Sequence, residues 1–235
     1  MIKHLTSYPD VQSMIRKSLL VHPVLGQTRS PAVSTIDSLS LPYVDAFIEE
    51  SLRLGQPLPF IGREAVEDSL LLGSVVPKGT ILFCLPCGPS IVQPAIEVDE
   101  GLRGDGARSG RDRTRNWKKD DVGEFRLERW LRKTGRAAEN GGDEVEFDMK
   151  AGPTMPFGQG IRGCFGKCAT LYRYGEHELM VLLGKKLAYM QLRVAVVMLV
   201  LNFELQSTPA EVSSMTANCV SARQPDDCFV RLKPL

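Results

Sequence analysis

The spacing of apolar residues predicts helices in three parts of the chain. Apolar residues recur at helical intervals through positions 1–21, through "LPYVDAFIEESLRL" at 41–54, and through a long stretch that ends near Leu205. Pro42 suits the first turn of the second helix, because a proline there sacrifices no intrahelical hydrogen bond. These patterns predict a chain with mainly helical structure.

Shorter apolar runs predict a minor β component. The segment "SVVPKGTILFCL" contains two β-rich runs on either side of the turn signal Pro77-Lys78-Gly79, and the tail ends in the strand-like "CFVRLK". Residues 22–40, residues 97–123 and the charged, glycine-rich stretch that ends at Lys150 lack apolar periodicity, so we expect loops there. The expected fold class is therefore mainly α with small β-sheets.

Composition excludes several classes of function. The chain has 235 residues, 29 of them basic and 28 acidic, so no global field attracts nucleic acid or anionic lipid. The most apolar run, "VAVVMLVL", is much shorter than the roughly 20 residues of a membrane span and predicts a buried helix segment. Six cysteines are few for a disulfide scaffold of this length, which indicates a reducing compartment.

The segment "PFGQGIRGCFG" at 156–166 surrounds one thiol with unusual chemistry. Phe157 can shield a site from water, and Arg162 can donate two hydrogen bonds to a carboxylate. Cys164 precedes a helical stretch, where the helix dipole favours a thiolate. The glycines that allow close backbone approach are Gly158, Gly160, Gly163 and Gly166. A flat partner that carries carboxylates and is bound through sulfur fits haem with a thiolate ligand.

This segment resembles the haem-binding loop of cytochrome P450, most closely that of fungal microsomal members. The matching positions are Phe157, Gly158, Gly160, Arg162, Cys164 and Gly166. The resemblance implies a haem-thiolate monooxygenase that inserts one oxygen atom from O2 into a small organic substrate. It also implies Cys164 as the axial ligand, Phe157 as its shield and Arg162 as a propionate or loop anchor. The implied partner is NADPH-cytochrome P450 reductase at the cytosolic face of the endoplasmic reticulum.

Other positions match the same family. Glu50 and Arg53 resemble the Glu-x-x-Arg of the helix behind the haem, and their i, i+3 spacing places them on one helix face. Arg129 in "FRLERW" resembles the arginine that completes this network, although Leu127 stands where the family usually has proline. Arg63 occupies the place of a propionate-binding arginine.

The resemblance covers only the C-terminal portion of the family's length. We therefore expect the membrane anchor, most of the substrate pocket and the oxygen-activating helix of the family to have no counterpart in these residues. The leading interpretation is a truncated monooxygenase of fungal secondary metabolism. The alternative is a non-catalytic remnant of such an enzyme.

Residues 167–184, "KCATLYRYGEHELMVLLG", interrupt the resemblance between the cysteine loop and "KKLAYMQLR". One hypothesis is a retained intron, because Gly-Lys-Cys can be encoded by codons that contain a donor-like GTAAGT. The other is a genuine loop insertion. Residues from about Glu176 are compatible with helix, so we expect the following helix to extend upstream and to leave the sulfur of Cys164 unsupported.

A zinc or thiol-binding module is a distant alternative. Cys84 and Cys87 have Cys-x-x-Cys spacing and could form a four-sulfur site with Cys164 and Cys168. However, the two pairs are far apart in sequence and Cys84 lies in a strand-like run. The basic stretch 103–119 contains acidic residues and a single aromatic, Trp117, which is typical of a solvated loop rather than a nucleic-acid surface.

Overall fold

The chain folds into two compact units. The computed structural model describes residues 1–112, 117, 121–137, 143–152, 154, 156–158, 170–174, 177–181, 184–219 and 222–235. The first unit contains Met1–Ile48, Phe157–Thr216 and Pro225–Leu235, and the second contains Glu49–Pro156 and Ala217–Gln224. The boundary falls within a helix, so Glu50 and Arg53 belong to the second unit.

The described residues form helices and two-stranded antiparallel pairs. The helices are α1 (Ile2–Ser7), α2 (Pro9–Val21), α3 (Val33–Ser38), α4 (Pro42–Leu54), α5 (Asp105–Asp112) and α6 (Lys185–Asn202). The strands are β1 (Ile61–Glu64), β2 (Ser69–Leu71), β3 (Ser74–Val76), β4 (Ile81–Cys84), β5 (Leu131–Ala137), β6 (Asp143–Phe147), β7 (Thr170–Tyr174), β8 (His177–Val181), β9 (Phe203–Gln206), β10 (Ala217–Cys219), β11 (Arg223–Pro225) and β12 (Arg231–Pro234). The pairs are β1–β4, β2–β3, β5–β6, β7–β8, β9–β12 and β10–β11.

The core of the first unit lies between α2, α6 and β9. Its fully or almost fully buried apolar residues include Leu5, Ile15, Leu19, Val197, Leu201 and Leu205. Gln12 joins α2 to β9, since its amide donates to the Leu205 carbonyl at 3.0 Å and its oxygen accepts from the Leu205 N–H at 2.8 Å. The Arg16 guanidinium donates to the carbonyls of Val200 at 3.0 Å and Phe203 at 2.7 Å. These contacts satisfy backbone groups where α6 ends.

The helical stretch predicted over 1–21 is two helices. α1 ends at Ser7 and α2 begins at Pro9, with Tyr8 between them in a non-helical conformation (φ −124°, ψ 73°). Proline disfavours helical geometry in the residue before it, and it is well tolerated at the first helical position. The helix predicted over 41–54 is present as α4.

Three segments predicted as loops contain regular structure. Residues 22–40 include α3, whose Ile36 is fully buried. Residues 97–123 include α5, which begins at Asp105, an acidic residue suited to the first helical turn. The stretch that ends at Lys150 contains the β5–β6 hairpin, in which Leu131 lies opposite Phe147. At α3 and at the hairpin the loop predictions were wrong because burial and cross-strand pairing supply stability that local periodicity does not show.

The two β-rich runs around Pro77 are strands β3 and β4, but they do not pair with each other. β1 pairs with β4, with Ile61 opposite Cys84, and β2 pairs with β3, with Ser69 opposite Val76. The intervening turn instead bonds to the segment before β2. The N–H of Lys78 donates to the Asp68 carboxylate at 2.8 Å, and that of Gly79 donates to the Ala65 carbonyl at 2.7 Å.

The helix after the cysteine loop does not extend upstream as expected. β8 occupies His177–Val181 and pairs with β7, and α6 begins only at Lys185. Gly184 precedes it with φ 107°, a conformation outside the right-handed helix. α6 ends at Asn202, and β9 replaces the helix predicted to reach Leu205. The "VAVVMLVL" run lies in α6 with Val197 and Val200 buried. Among the helices formed by the described residues, none is long and apolar enough to cross a membrane.

The pH dependence of stability tests the burial of His4. Burial, and secondarily the charge of the Met1 amino group, lowers the pKa of His4 from 6.5 to about 3. The unfolded chain therefore binds a proton that the folded chain excludes between about pH 6.5 and 3. We expect this residue to lower the free energy of unfolding by up to about 1.4 kcal/mol for each pH unit of acidification in that window.

The measurement is urea denaturation of the native chain and His4→Phe at several pH values. Phenylalanine keeps a ring beside Tyr8, whose centroid lies 6.4 Å from that of His4, but has no proton to bind. The difference in unfolding free energy between the two proteins should change with pH only below about pH 6.5. A difference that stays constant from pH 7 to pH 4 contradicts a depressed His4 pKa.

Candidate functional site

A buried carboxylate on α4 is the centre of the second unit. Glu50 is 0% exposed, and both of its oxygens accept hydrogen bonds. The Arg53 guanidinium donates to the two oxygens through Nε and Nη2, each at 2.8 Å. The backbone N–H of Arg126 donates to Oε1 at 2.8 Å, and the Trp130 indole donates to Oε2 at 2.9 Å. Four donors therefore compensate the desolvation of one negative charge.

Arg53 connects this carboxylate to two distant chain segments. Its Nη1 donates to the carbonyls of Ile91 and, at 2.7 Å, Val122, and its Nη2 donates to the Glu124 carbonyl at 3.1 Å. Together with the two bonds to Glu50, these contacts use all five N–H donors of the guanidinium. Arg53 is 0% exposed, so its charge is buried. Its five hydrogen bonds fix the position of the guanidinium group.

Arg129 approaches Glu50 but bonds mainly to Asp121. Its Nη1 donates to the Asp121 carboxylate at 2.9 Å, and its Nη2 donates to the Asp121 carbonyl. The distance from Arg129 Nε to Glu50 Oε1 is 3.6 Å, which is an ion pair without a hydrogen bond. The sequence pattern did not identify Asp121, because nothing in the polar stretch around it distinguishes it from its charged neighbours.

Two tryptophans complete the cluster. Trp130 is fully buried, and Trp117 lies in a T-shaped contact with it at a centroid distance of 5.4 Å. The guanidinium carbons of Arg53 and Arg129 each lie 5.1 Å from the Trp117 ring centroid, within cation–π range. The interpretation of 103–119 as a wholly solvated loop was therefore wrong at Trp117. Trp117 is the only aromatic residue of that stretch, and this was the sequence feature that could have identified it as a packed residue.

The structure describes some, but not all, of the other residues that the sequence pattern identified. Arg63 lies half-buried on β1, and its Nη1 donates to the carbonyl of neighbouring Gly62 at 2.8 Å. Phe157 is half-buried, with its ring centroid 5.6 Å from that of Tyr189 on α6. Gly158 has φ 65°. The other loop positions of the pattern lie outside the described residues: Gly160, Arg162, Cys164 and Gly166.

The cysteine pair of the alternative metal site lies in the second unit. Cys84 is exposed on β4, and the half-buried Cys87 thiol lies 3.3 Å from the Pro59 carbonyl, to which it donates. Cys168, like Cys164, is outside the described residues. Within the part of the chain that the structure describes, no group of three or more histidine, cysteine or acidic residues could hold a metal ion.

Comparison with known proteins identifies the family. The sequence profile of the family described as "Cytochrome P450" matches residues 1–88. The Hps1-dma1 cluster cytochrome P450 monooxygenase cyp3.1 of Dothistroma septosporum is 35% identical over 240 residues, which cover 98% of this chain and 70% of that protein. The chain belongs to the cytochrome P450 family. The cytochrome P450 monooxygenase GME11363 of Pestalotiopsis microspora is 34% identical over 100% of this chain, but over only 37% of its own length.

The structure also has a P450 fold, in part. A crystal structure of a cytochrome P450, CYP102L1, superimposes with a TM-score of 0.63 at 20% identity, covering 100% of this chain and 40% of that one. The family and the mainly helical fold class with small sheets, both expected from sequence, are confirmed. The chain spans about two fifths of this P450 and of the Pestalotiopsis relative.

Membership in the P450 family implies haem as the cofactor, and both the conformation of Gly158 and the sequence of the cysteine loop fit it. Gly158 adopts a positive φ at the start of the loop that carries Cys164, so the backbone there has the conformation for which its glycine is suited. The donor set of the loop contains one thiol and one arginine, which match the iron and a propionate of haem. Glu50, Arg53 and Arg129, whose sequence pattern resembles the P450 network, lie together in the Glu50 cluster.

Replacing the central carboxylate tests its importance for folding. We expect Glu50→Gln to lower the free energy of unfolding by about 3–5 kcal/mol, because the Arg53 charge would remain buried without its partner. Glu128→Gln is the matched control, since Glu128 is exposed in the neighbouring 3-10 turn, and its effect should stay within about 0.5 kcal/mol. Urea denaturation measures both. Equal effects of the two substitutions would contradict the central role of Glu50.

Proposed function

We propose that the protein is the C-terminal part of a haem-thiolate monooxygenase. The observation that carries this proposal is the buried Glu50–Arg53 pair, bonded to the 121–130 segment in a chain of the P450 family that also has the Phe157–Gly166 loop pattern. A pair that uses every donor and acceptor holds helix and loops in one arrangement.

Each residue of the loop has a distinct role in this proposal. Cys164 would provide the thiolate that holds the haem iron, and Phe157 would shield the sulfur from water. Arg162 and Arg63 are the residues that would donate hydrogen bonds to propionates. The glycines that admit the backbone close to the cofactor are Gly158, Gly160 and Gly166. Haem, when bound, supplies the iron chemistry that activates O2 and transfers one oxygen atom to substrate. The second oxygen atom leaves as water, which requires two electrons and two protons.

The family relatives support the partner and substrate class. The fungal relatives are named cytochrome P450 monooxygenases, and the name of the Dothistroma protein includes the words "Hps1-dma1 cluster". By analogy we assign this chain a small organic substrate in fungal secondary metabolism and NADPH-cytochrome P450 reductase as the electron donor. The corresponding location is the cytosolic face of the endoplasmic reticulum.

A second candidate function is that of a non-catalytic P450 remnant. One observation favours it: in the sequence, residues 167–184 separate Cys164 from the start of α6. We infer that this segment is a genuine insertion in the folded chain, because β7 and β8 pair as a hairpin and α6 still begins at Lys185. Sequencing of mature message tests the retained-intron alternative, which requires that processed transcripts lack the 167–184 codons.

The test of the proposed function is haem binding by the expressed chain. The chain is produced with a haem precursor, reduced and treated with carbon monoxide, and its Soret band is compared with that of Cys164→Ser. We expect the thiolate-type band in the native chain and its loss in the variant, because a serine oxygen cannot replace the thiolate. Cys84→Ser is the matched control, since Cys84 is exposed on β4, and it should leave the band unchanged.

Three results of this experiment would count against the proposal. A chain that takes up no haem supports the remnant, whereas haem uptake with a band that Cys164→Ser does not alter contradicts Cys164 as the ligand. A loss of haem binding in Cys84→Ser instead of Cys164→Ser would favour the alternative zinc or thiol-binding module.

A further inference from the structure

A polar cleft in the first unit is bordered by α2 and by the β9–β12 pair. Its volume is about 580 Å³, which is enough for a small organic molecule. Ser13 and Arg16 line it from α2, and Glu204 and Arg231 line it from the two strands. These residues all belong to the first unit, so the cleft is formed within one compact body.

Arg16 brings to this cleft a positive charge that is bonded only to neutral groups. Its guanidinium donates to the carbonyls of Val200 at 3.0 Å and Phe203 at 2.7 Å, and to the Gln12 side-chain oxygen at 2.9 Å. Among the described residues, no carboxylate forms an ion pair with it, and no group accepts a hydrogen bond from its Nη1. Two of its five N–H donors are therefore available to a ligand.

The charges around Arg16 favour an anion. Burial lowers the pKa of the Arg16 guanidinium, while the charge of Glu204 opposes this shift and that of Arg29 adds to it. Glu204 is itself paired with Lys233, whose Nζ lies 3.0 Å from Oε2. The side chain of Arg231 has no hydrogen bond or ion pair within the part of the chain that the structure describes. A partly desolvated cation without a direct counter-charge is stabilised by an anion beside it.

Two carboxylates restrict which anion fits. Asp10 also lines the cleft, in the first turn of α2, where the positive end of the helix dipole compensates part of its charge. Asp10 and Glu204 repel a dianion such as phosphate more strongly than a singly charged group. A carboxylate carries one negative charge and accepts strong hydrogen bonds from a guanidinium. Hydroxyl groups on the same molecule can donate to the two acidic side chains.

We propose that this cleft is a binding site for a small organic carboxylate, with Arg16 as its anchor and Arg231 as a second cation. A ligand that contacts both α2 and the strands stabilises the folded first unit, because the site is absent from the unfolded chain. None of these residues belongs to the haem pattern. The haem-binding test and the tests of this site therefore succeed or fail separately.

Titration of the full chain with benzoate tests the carboxylate specificity, and benzamide is the uncharged control of the same shape. The readout is the ¹⁵N NMR signal of the Arg16 Nε–H, which its bond to the Val200 carbonyl protects from exchange with water. We expect saturable binding of benzoate at millimolar concentration and about tenfold weaker binding of benzamide, which has no charge to pair with the guanidinium. Three results overturn the proposal: equal binding of the two compounds, no saturation by benzoate at tens of millimolar, or tighter binding of inorganic phosphate than of benzoate.

Substitutions of the two arginines locate the binding, with the backbone N–H signals of β9 as the readout. We expect Arg16→Gln to weaken benzoate binding by about tenfold or more, and Arg231→Gln by about fivefold. Lys17→Gln is the matched control, because Lys17 is an exposed cation on the same helix and is not among the residues that line the cleft. Its effect should stay within about twofold.

The arginine variants remain decisive if one of them does not fold. Arg16→Gln loses bonds to the end of α6 and the start of β9, whereas Arg231→Gln removes a side chain without described partners. If Arg16→Gln is unfolded, the comparison of Arg231→Gln with Lys17→Gln decides the proposal. Equal benzoate affinities of these two variants overturn it, as does a folded Arg16→Gln that binds benzoate with native affinity.

Hydrogen exchange tests whether the ligand joins α2 to the strands. At a benzoate concentration about ten times its dissociation constant, exchange in β9 and β12 should slow by about tenfold, because opening of these strands requires release of the ligand. Exchange in β1 and β4 of the second unit should not change. Unchanged exchange in β9 and β12 at this concentration, or equal slowing in β1 and β4, overturns the assignment of the site to this cleft.

Discussion

The second unit depends on the compensation of one buried negative charge. A carboxylate removed from water is costly unless donors surround it, and Glu50 has four of them from three residues. Those donors come from α4 itself and from the 126–130 segment, so the charge can be buried only when helix and segment are assembled together. The same requirement makes this arrangement specific, because a shifted packing would leave Glu50 or Arg53 unpaired.

The charges around Glu50 balance. Glu50 and Asp121 supply two negative charges, and Arg53 and Arg129 supply two positive ones, within a cluster that includes Trp117 and Trp130. The more exposed Arg126, which also pairs with Asp121, is matched by Glu124. The aromatic rings exclude water and strengthen the electrostatic contacts that they cover. A neutral, water-poor cluster of this kind is suited to holding a neighbouring segment in place rather than to taking part in proton transfer.

Sequence patterns predicted those elements whose determining residues lie close together along the chain. The i, i+3 spacing of Glu50 and Arg53 and the apolar period of α4 lie within one helix, so pattern and contact coincide. The bond from Trp130 to Glu50 joins residues 80 positions apart, and the role of Asp121 follows only from the fold around it. α3 and the β5–β6 hairpin were missed for the same reason, since the burial of Ile36 and the pairing of Leu131 with Phe147 arise from tertiary structure. The upstream extension of α6 failed because residues 177–181 pair as β8 with β7 and Gly184, a poor helix former, precedes Lys185 with a positive φ.

Both tryptophans of the chain lie in the same T-shaped pair. Ultraviolet emission excited at indole wavelengths therefore originates from a single location, beside Arg53 and Arg129, and not from an average over the molecule. The protein thus contains a natural optical probe, whose colour and intensity follow the integrity of that one location during unfolding, ligand uptake or chain association, without any attached label.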